Sequence, residues 1–326
     1  MSSSFDSALE RAIIAALAYH DVFEYPLRVE EVWRWLYVSD GRAWEAVQRA
    51  TPADVEQALQ RLQVARAVDR AGEWVTLRGR SGIIATRLER HAANLRKWQR
   101  AEGVTRLLRI VPFVQFVGVV NTLALDNARP ESDIDLFVVA GRGRLWLTRL
   151  LVTVVVHLLG LRRHDLHVAD RVCLSFFVSE AALGLQPLRL AGVDDDVYLT
   201  YWTSQVVPLY ERGDAWAAFQ QANRWIVDRL PHGLVGTPSP RFGSGMLTPI
   251  LRAAPELLLT TPLGAVSEWL AKRLQLLVMR DKYWSRRSAG TTEVVVNNEV
   301  LKFHERDRRA AYRAAWQQRL QARGLG

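Results

Sequence analysis

The sequence predicts a mixed α/β protein in which a central sheet is flanked by helices. Three observations predict this class. Residues 1–79 show three helical apolar patterns followed by two short strand patterns. Residues 111–235 contain apolar strand patterns around two closely spaced acids, and residues 236–326 are mainly helical in pattern. A helix predicted over 80–110 connects the first two parts.

Composition bounds the class of protein further. The 326 residues are 49% hydrophobic and 24% charged, which is ordinary for a soluble globular chain with a sizeable core. A net charge of +9 favours polyanionic partners such as nucleic acid, nucleotides or an acidic membrane surface. The N-terminus lacks the cationic start of a secretory signal, and the most apolar segment, 145–161, is too short and too charged to span a bilayer. We therefore expect a cytoplasmic protein without a membrane partner.

Local signals mark each element of the N-terminal part. Asp6 or Ser7 can cap a first helix, and a second helix is predicted over 29–37. Thr51, followed by proline, is a strong start for a third helix. Two short strands around a turn are predicted within 67–77.

This order of three helices and a hairpin resembles a winged helix-turn-helix domain. The resemblance implies that the third helix contacts DNA. That helix, however, carries Asp54 and Glu56 near its N-terminus, where base and phosphate contacts are usually made, while Arg61 and Arg66 come late. DNA binding and a packing or protein-contact role both remain open.

The next predicted elements are a long basic helix and the first elements of the central sheet. The helix predicted over 83–110 carries seven cations, which we expect mostly on a solvated face, with a phosphate-binding track as the alternative. These cations are Arg87, Arg90, Arg96, Lys97, Arg100, Arg106 and Arg109. Strands are predicted over 111–120 and 171–178, with a buried helix over 145–161 between them. The pattern then turns helical, apart from a Pro/Gly/Ser-rich connector over 230–245.

Asp133 and Asp135 are the strongest functional signal in the chain. They stand two residues apart in a strand pattern, so their side chains project from the same face. Two carboxylates that close repel each other. Mg²⁺ prefers oxygen ligands and is commonly held by one or two carboxylates together with substrate phosphates. The pattern therefore predicts a metal–phosphate site, and the alternative is a surface strand end with two solvated acids.

The segment 121–139, NTLALDNARPESDIDLFVV, resembles the polymerase-beta-like nucleotidyltransferase superfamily, and a looser resemblance extends over about 111–210. It implies a nucleotidyltransferase fold in which Asp133 and Asp135 hold up to two Mg²⁺ ions that bridge the phosphates of a nucleoside triphosphate such as ATP. Thr122 stands where the family has serine, and its hydroxyl would donate to a phosphate oxygen. The implied reaction moves a nucleoside monophosphate to a hydroxyl of a small molecule, a protein or an RNA end.

The resemblance places three further residues at the nucleotide. Asn121 stands where the family has glycine, and asparagine tolerates the left-handed backbone conformation only in part, so a shifted or weaker nucleotide pose is expected. Arg129 would reach a phosphate, or else brace its own loop. Ser132 would cap the loop or orient Asp133.

The family's third carboxylate, often the base for the acceptor hydroxyl, has no counterpart in the strand over 172–178. Ser175 stands near its position, and Asp165 and Asp170 are the fallback candidates. Loss of a general base slows catalysis by roughly 10²- to 10⁴-fold. The alternative function is therefore a non-catalytic nucleotide- or metal-binding module, or a DNA-binding regulator, on the same fold.

Other conspicuous residues have structural explanations. Cys173 cannot form an internal disulfide and is expected to be a buried, unreactive thiol. His164 and His167 fit a surface loop better than a zinc site. The acids over 194–196 suit a helix N-terminus.

A set of mainly aromatic residues at helical spacing would line an acceptor or base pocket, or else belong to the core. These residues are Tyr198, Tyr201, Trp202 and Gln205. The nucleotide, the acceptor and the oligomeric state are left open.

Overall fold

The computed structural model describes residues 7–164, 167–193, 195–243, 247–287, 294–303 and 307–325. Its helices are α1 (Ala8–Val22), α2 (Val29–Arg34), α3 (Trp44–Gln48), α4 (Pro52–Val64), α5 (Ile83–Leu108), α6 (Asn121–Ala124), α7 (Leu145–Leu158), α8 (Val197–Ser204), α9 (Ala215–Ala222), α10 (Leu247–Thr260), α11 (Pro262–Arg287) and α12 (Arg309–Gln321). Its strands are β1 (Leu27–Arg28), β2 (Val68–Ala71), β3 (Trp74–Leu77), β4 (Val114–Val119), β5 (Ile134–Ala140), β6 (Val172–Ser179), β7 (Val207–Glu211), β8 (Val294–Val296) and β9 (Val300–Phe303). The predicted mixed α/β class is confirmed.

The N-terminal part contains α1–α4 and a small sheet of order β1-β3-β2. Ser7 caps α1 by accepting from the Glu10 backbone N–H, and Thr51 caps α4 in a reciprocal arrangement with Asp54. Both predicted helix starts are confirmed, as is the hairpin of β2 and β3. The second helix ends at Arg34, earlier than predicted. The sequence analysis missed β1 and α3, because two- and five-residue elements carry too little periodicity to detect.

The charged residues of α4 are paired within this same part of the fold. Asp54 completes the N-terminal cap, and Glu56 accepts from Arg70 at 2.6 Å. Arg61 donates to Glu10 at 2.7 Å. The acids that would oppose a phosphate backbone thus have local partners, and DNA binding and a packing or protein-contact role remain the two alternatives.

The central sheet has six strands in the order β7-β4-β5-β6-β9-β8. The β5–β6 pair is parallel, and the other neighbouring pairs are antiparallel. Alternation along β5 sends Ile134, Leu136 and Val138 into a core with α5, α7 and α11. Asp135 and Phe137 therefore belong to the opposite face, where Phe137 packs beneath aromatic side chains of α8 and α9.

Two strands of this sheet, β7 and β9, lie where the sequence predicts helix, and β8 lies in a polar stretch around 293–298 that interrupts the predicted C-terminal helices. The helix prediction is wrong over 300–303, since β9 pairs with β6 and extends the central sheet. Strands of three to five residues have little periodicity of their own, and pairing with a distant strand decides their conformation.

The connecting helix is confirmed as α5, but its cations are not mainly a solvated face. Arg90 and Lys97 are buried and Arg87 is half-buried, whereas Arg96 and Arg100 are exposed. The buried cations hold the neighbouring chain segments in place.

The apolar segment predicted as a buried helix is α7, with Trp146 and Val152 in the core. Within the described ranges, every helix falls short of the length and apolarity that crossing a bilayer requires.

Candidate metal and phosphate site

Asp133 and Asp135 lie at the N-terminal end of β5, beside the start of the parallel strand β6. Asp135 is directly opposite Cys173 in the β5–β6 register. One potential ligand atom from each of Asp133, Asp135 and Cys173 lies within 4.8 Å of the other two, and all three residues are half-buried. This acid–thiol cluster is the only such group of histidine, cysteine and acidic residues in the described part of the chain. The structure therefore brings the two acids together, as strand alternation predicts.

Ionisation of both carboxylates at once is unfavourable in this cluster. Burial, and next the charge of Asp133, raises the pKa of Asp135 to about 7. Hydrogen bonds from the Asn121 amide and the Cys173 thiol act in the opposite direction but do not cancel this effect. A cation bound between the two carboxylates would favour the ionised form of Asp135.

Cys173 lies beside the two acids, although the sequence analysis gave it no part in the site. Burial, followed by the charges of Asp135 and Asp133, raises the pKa of its thiol well above the ordinary value. This agrees with the expected unreactive thiol, but the side chain belongs to the acid–thiol cluster and not to the apolar core. The sequence feature that could have indicated this position is that Cys173 stands near the start of the strand predicted after the one that carries Asp133 and Asp135.

Arg163 supplies the positive charge nearest to the cluster. Its Nη1 lies 2.8 Å from Asp133 Oδ2 and 3.7 Å from Cys173 Sγ. The segment after α7 runs beside β6, and the Arg163 backbone N–H donates to Val172. The arginine side chain is 48% exposed, so it keeps access to water and room to change partners. No motif in the sequence distinguished this residue.

Lys97 on α5 holds the loop that leads into the acids. Its ammonium group is fully buried and donates to the carbonyls of Pro130 and Ser132, at 3.0 and 2.7 Å. It also donates to the Asp170 carboxylate at 2.6 Å. Asp170 is therefore engaged by Lys97 and lies outside the acid–thiol cluster. The other fallback for a third carboxylate, Asp165, lies outside the described residues.

Two more contacts fix the same loop to α5. The Ala128 backbone N–H donates to Asn94 Oδ1 at 3.1 Å, and Arg90 donates to Asn127 Oδ1 at 2.9 Å. Side chains of one helix thus position the backbone on both sides of the turn before Asp133.

Asn121 connects the cluster to an aromatic wall. It adopts a φ of 60°, so the position that the family resemblance assigns to glycine does have left-handed backbone, and asparagine occupies it. Its Oδ1 accepts from Trp202 Nε1 at 2.7 Å and from the Tyr198 hydroxyl at 3.3 Å. Its amide donates to Asp135, which places the aromatic side chains next to the acids.

The other predicted nucleotide-binding residues lie along the loop. Thr122 is exposed on α6. Ser132 Oγ accepts from the Arg129 backbone N–H at 3.2 Å, which is the loop-capping role expected for it. The Arg129 guanidinium lies 3.6 Å from Glu24 of the N-terminal part, a contact that fits the bracing alternative.

A cavity of about 200 Å³ opens beside this wall, between the sheet and helices α8 and α12. Tyr198, Trp202 and Tyr312 line it with rings, and Lys302 and Arg308 add cationic groups. Burial, followed by the charge of Arg309, lowers the pKa of Lys302 to about 8.

The predicted aromatic stripe is therefore divided between cavity and core. Tyr198 and Trp202 line the cavity, whereas Tyr201 is buried and stacks on Tyr19 in the N-terminal core at 3.9 Å. Gln205 lies near His20 in the same core.

The structure also shows where the two paired histidines and one of the acids before α8 lie. His164 and His167 are exposed, and their backbone groups hydrogen-bond to each other. Asp196 caps α8 by accepting from the Leu199 backbone N–H at 2.9 Å, while Asp194 lies outside the described residues.

Comparison with known proteins gives no match to a protein-family model, to a curated protein or to a solved structure.

Proposed function

We propose that this protein is a metal-dependent nucleotidyltransferase that moves a nucleoside monophosphate from a nucleoside triphosphate to a hydroxyl acceptor. The observation that carries the proposal is the pairing of Asp133 and Asp135 at the start of β5, with a pKa at Asp135 raised to about 7. Two adjacent carboxylates that resist joint ionisation are suited to a divalent cation. Such paired carboxylates serve phosphoryl-type transfer, which depends on positioning and charge neutralisation.

The donor set fits one divalent ion. Carboxylate oxygens of Asp133 and Asp135 suit Mg²⁺ or Mn²⁺, and Cys173 offers a softer third donor that favours a more thiophilic metal. A second ion would depend on the phosphates of the substrate for its remaining ligands. When bound, the metal would neutralise charge on the phosphates that react.

The chain's own residues would hold the substrate in place. The exposed Thr122 hydroxyl is available to a phosphate oxygen, as the resemblance implies. Arg163 would exchange Asp133 for a phosphate when a cation takes over the carboxylate, because its half-exposed side chain has room to turn. Asn121 orients Asp135 through its amide, and Lys97 fixes the loop.

The cavity beside Asn121 is the proposed site for the acceptor or the base. Its volume of about 200 Å³ lies below the roughly 300 Å³ at which pockets for drug-sized ligands begin, so it suits a single ring system. Tyr198 and Trp202 present ring faces to such a group. β6 supplies no carboxylate to deprotonate the acceptor. We therefore expect turnover to be slower by roughly 10²- to 10⁴-fold than with a positioned base.

A non-catalytic nucleotide- or metal-binding module is the second candidate. The specific observation in its favour is the 2.8 Å contact of Arg163 with Asp133, which already balances one of the two carboxylates. This candidate also needs no third carboxylate on β6.

A transfer assay separates the two candidates. Full-length protein is incubated with each α-labelled nucleoside triphosphate, Mg²⁺ or Mn²⁺, and pools of small metabolites, protein or RNA. Pyrophosphate release and label transfer that Asp135→Asn abolishes, and that the nearby exposed-acid variant Glu131→Gln retains, support the enzyme. Metal-dependent nucleotide binding without pyrophosphate release supports the module. Absence of both nucleotide and metal binding refutes the proposal.

A further inference from the structure

The helical hairpin of α10 and α11 exposes a broad apolar surface. Between Ile250 and Val278, eleven large apolar side chains are more than half exposed in the described part of these helices, among them Leu257, Trp269 and Leu277. We call these eleven residues the α10–α11 surface. Soluble monomers rarely expose contiguous apolar patches beyond a few hundred Å², and larger ones mark interaction sites. This surface plays no part in the proposed transfer site.

The inner side of α10 is anchored to the central sheet. Arg252 is buried and donates to the Tyr210 hydroxyl at 2.7 Å. Glu256 accepts from the Phe113 backbone N–H and from Arg212, both at 2.9 Å. These polar contacts set the rotation of α10 and leave its apolar side chains facing outward.

The inner side of α11 is anchored to the N-terminal turn of α7. Glu268 accepts from the backbone N–H groups of Trp146 and Leu147, at 2.8 and 2.9 Å. At the turn of the hairpin, a Cβ on Gly264 would lie 1.7 Å from the Leu259 carbonyl oxygen, so only glycine permits this approach of the two helices. The fold therefore specifies which side of the hairpin meets the surroundings.

The charge of the hairpin points to an anionic partner. Apart from the inward-facing Arg252, Glu256 and Glu268, residues 247–287 contain six lysines and arginines against one acid. The Arg273 guanidinium lies 5.4 Å from the ring centre of the exposed Trp269. Leucine, tryptophan and basic residues combined on one amphipathic helix are typical of segments that lie in the interface of an anionic membrane.

A second copy of this chain fits the surface less well. If Leu263 occupies position a of a heptad, Arg273 and Arg280 fall at position d. If Leu263 occupies position d, Ser267 and Asp281 fall at position a. In either frame a symmetric helix pair would have at least two polar residues per chain at positions that require apolar residues. At a membrane surface, long basic side chains bury their stems and extend their charges to the headgroups.

From these observations we propose that the α10–α11 surface docks on anionic lipid bilayers, with the hairpin lying in the interface and not crossing it. The proposal differs from the sequence-based expectation of no membrane partner, which rested on the lack of a spanning segment. A helix that lies along the interface needs an apolar face and basic residues, and does not need spanning length.

Vesicle flotation with the full chain tests the proposal. We expect the protein to float with phosphatidylcholine vesicles that contain about a quarter phosphatidylglycerol, and to float less with pure phosphatidylcholine. The double variant Leu270→Glu/Leu277→Glu should lower the partition coefficient by at least about tenfold. Val64→Glu, which changes an 86% exposed valine on α4, is the matched control and should float like the wild type. Thermal unfolding shows whether each variant is folded.

A charge variant separates electrostatic attraction to anionic lipids from nonspecific hydrophobic adsorption. Lys272→Gln/Arg273→Gln keeps the apolar side chains, and we expect weaker flotation on anionic vesicles together with a weaker dependence on salt. Wild-type protein that stays with the soluble fraction, or a leucine variant that floats like the wild type, overturns the proposal. Light scattering adds a third outcome. A wild-type dimer that the leucine variant converts to a monomer, without vesicle binding, assigns the surface to a second copy and overturns the membrane proposal.

Discussion

Replacement of Asp135 by asparagine should stabilise the protein at alkaline pH. The carboxyl has a pKa of about 7 in the folded chain, against an ordinary value of 3.8. The folded state thus retains a proton that the unfolded state has lost, so the free energy of unfolding falls as pH rises from about 4 to about 7. Above this range the destabilisation is complete.

The size of the effect follows from the shift in pKa. A shift of about 3 pH units, at about 1.4 kcal/mol each, sets an upper limit of about 4 kcal/mol. Asp135 is only half-buried, so water screens part of this cost and we expect about 2 kcal/mol. Asp135→Asn keeps the shape of the side chain and removes its charge. The variant should match the wild type near pH 4 and gain about 3 °C in Tm at pH 8.

Thermal unfolding in the presence of a chelator, from pH 4 to pH 8, measures this difference. Glu131→Gln, on the same loop and exposed, is the control and should shift Tm by no more than about 1 °C at any pH. Saturating Mg²⁺ or Mn²⁺ should raise the wild-type Tm at pH 8 and leave Asp135→Asn unchanged, because binding stabilises only the chain that holds the metal. A variant less stable than the wild type at pH 8, or a difference that does not depend on pH, would refute the reasoning that Asp135 needs a cation.

Three further substitutions test how the site is held. Lys97→Met leaves two carbonyls and Asp170 without their donor, so we expect a loss of about 3 kcal/mol in the free energy of unfolding; equal Tm values for Lys97→Met and the exposed-site variant Arg96→Met would contradict the anchoring role. Arg163→Gln removes the cation that competes for Asp133 and should tighten Mn²⁺ binding by about tenfold in titration calorimetry; unchanged affinity would show that no competition exists. Asn121→Ala forces alanine into left-handed backbone and should be about 1 kcal/mol less stable than Asn121→Gly, and the reverse order in thermal unfolding would argue against backbone strain.

Much of the candidate site was predictable because the rules involved act within a few residues. Alternation along a strand places Asp133 and Asp135 on one side wherever the strand lies in the fold. The caps at Ser7 and Thr51 depend on side chains that reach backbone groups two or three positions ahead.

The cluster's third member and its counter-charge were not predictable in this way. Cys173 meets Asp135 only because β5 and β6 pair in parallel with this register. Arg163 reaches Asp133 across 30 positions, after α7 has returned the chain to the start of β6. A shift of the register by a single residue would turn Cys173 to the opposite face, and no local pattern sets that register.

By itself the sequence determined where helices and strands begin in the well-patterned segments, that two carboxylates share a face, and that the chain carries excess positive charge. Tertiary structure alone decided that Lys97 is a buried anchor, that β8 and β9 complete the central sheet, and that the apolar side of α11 faces outward. The physical reason is distance along the chain. Helix caps and apolar periodicity depend on interactions between residues that are close in sequence. Burial, strand pairing and ion pairs between residues far apart in sequence depend on how the whole chain packs.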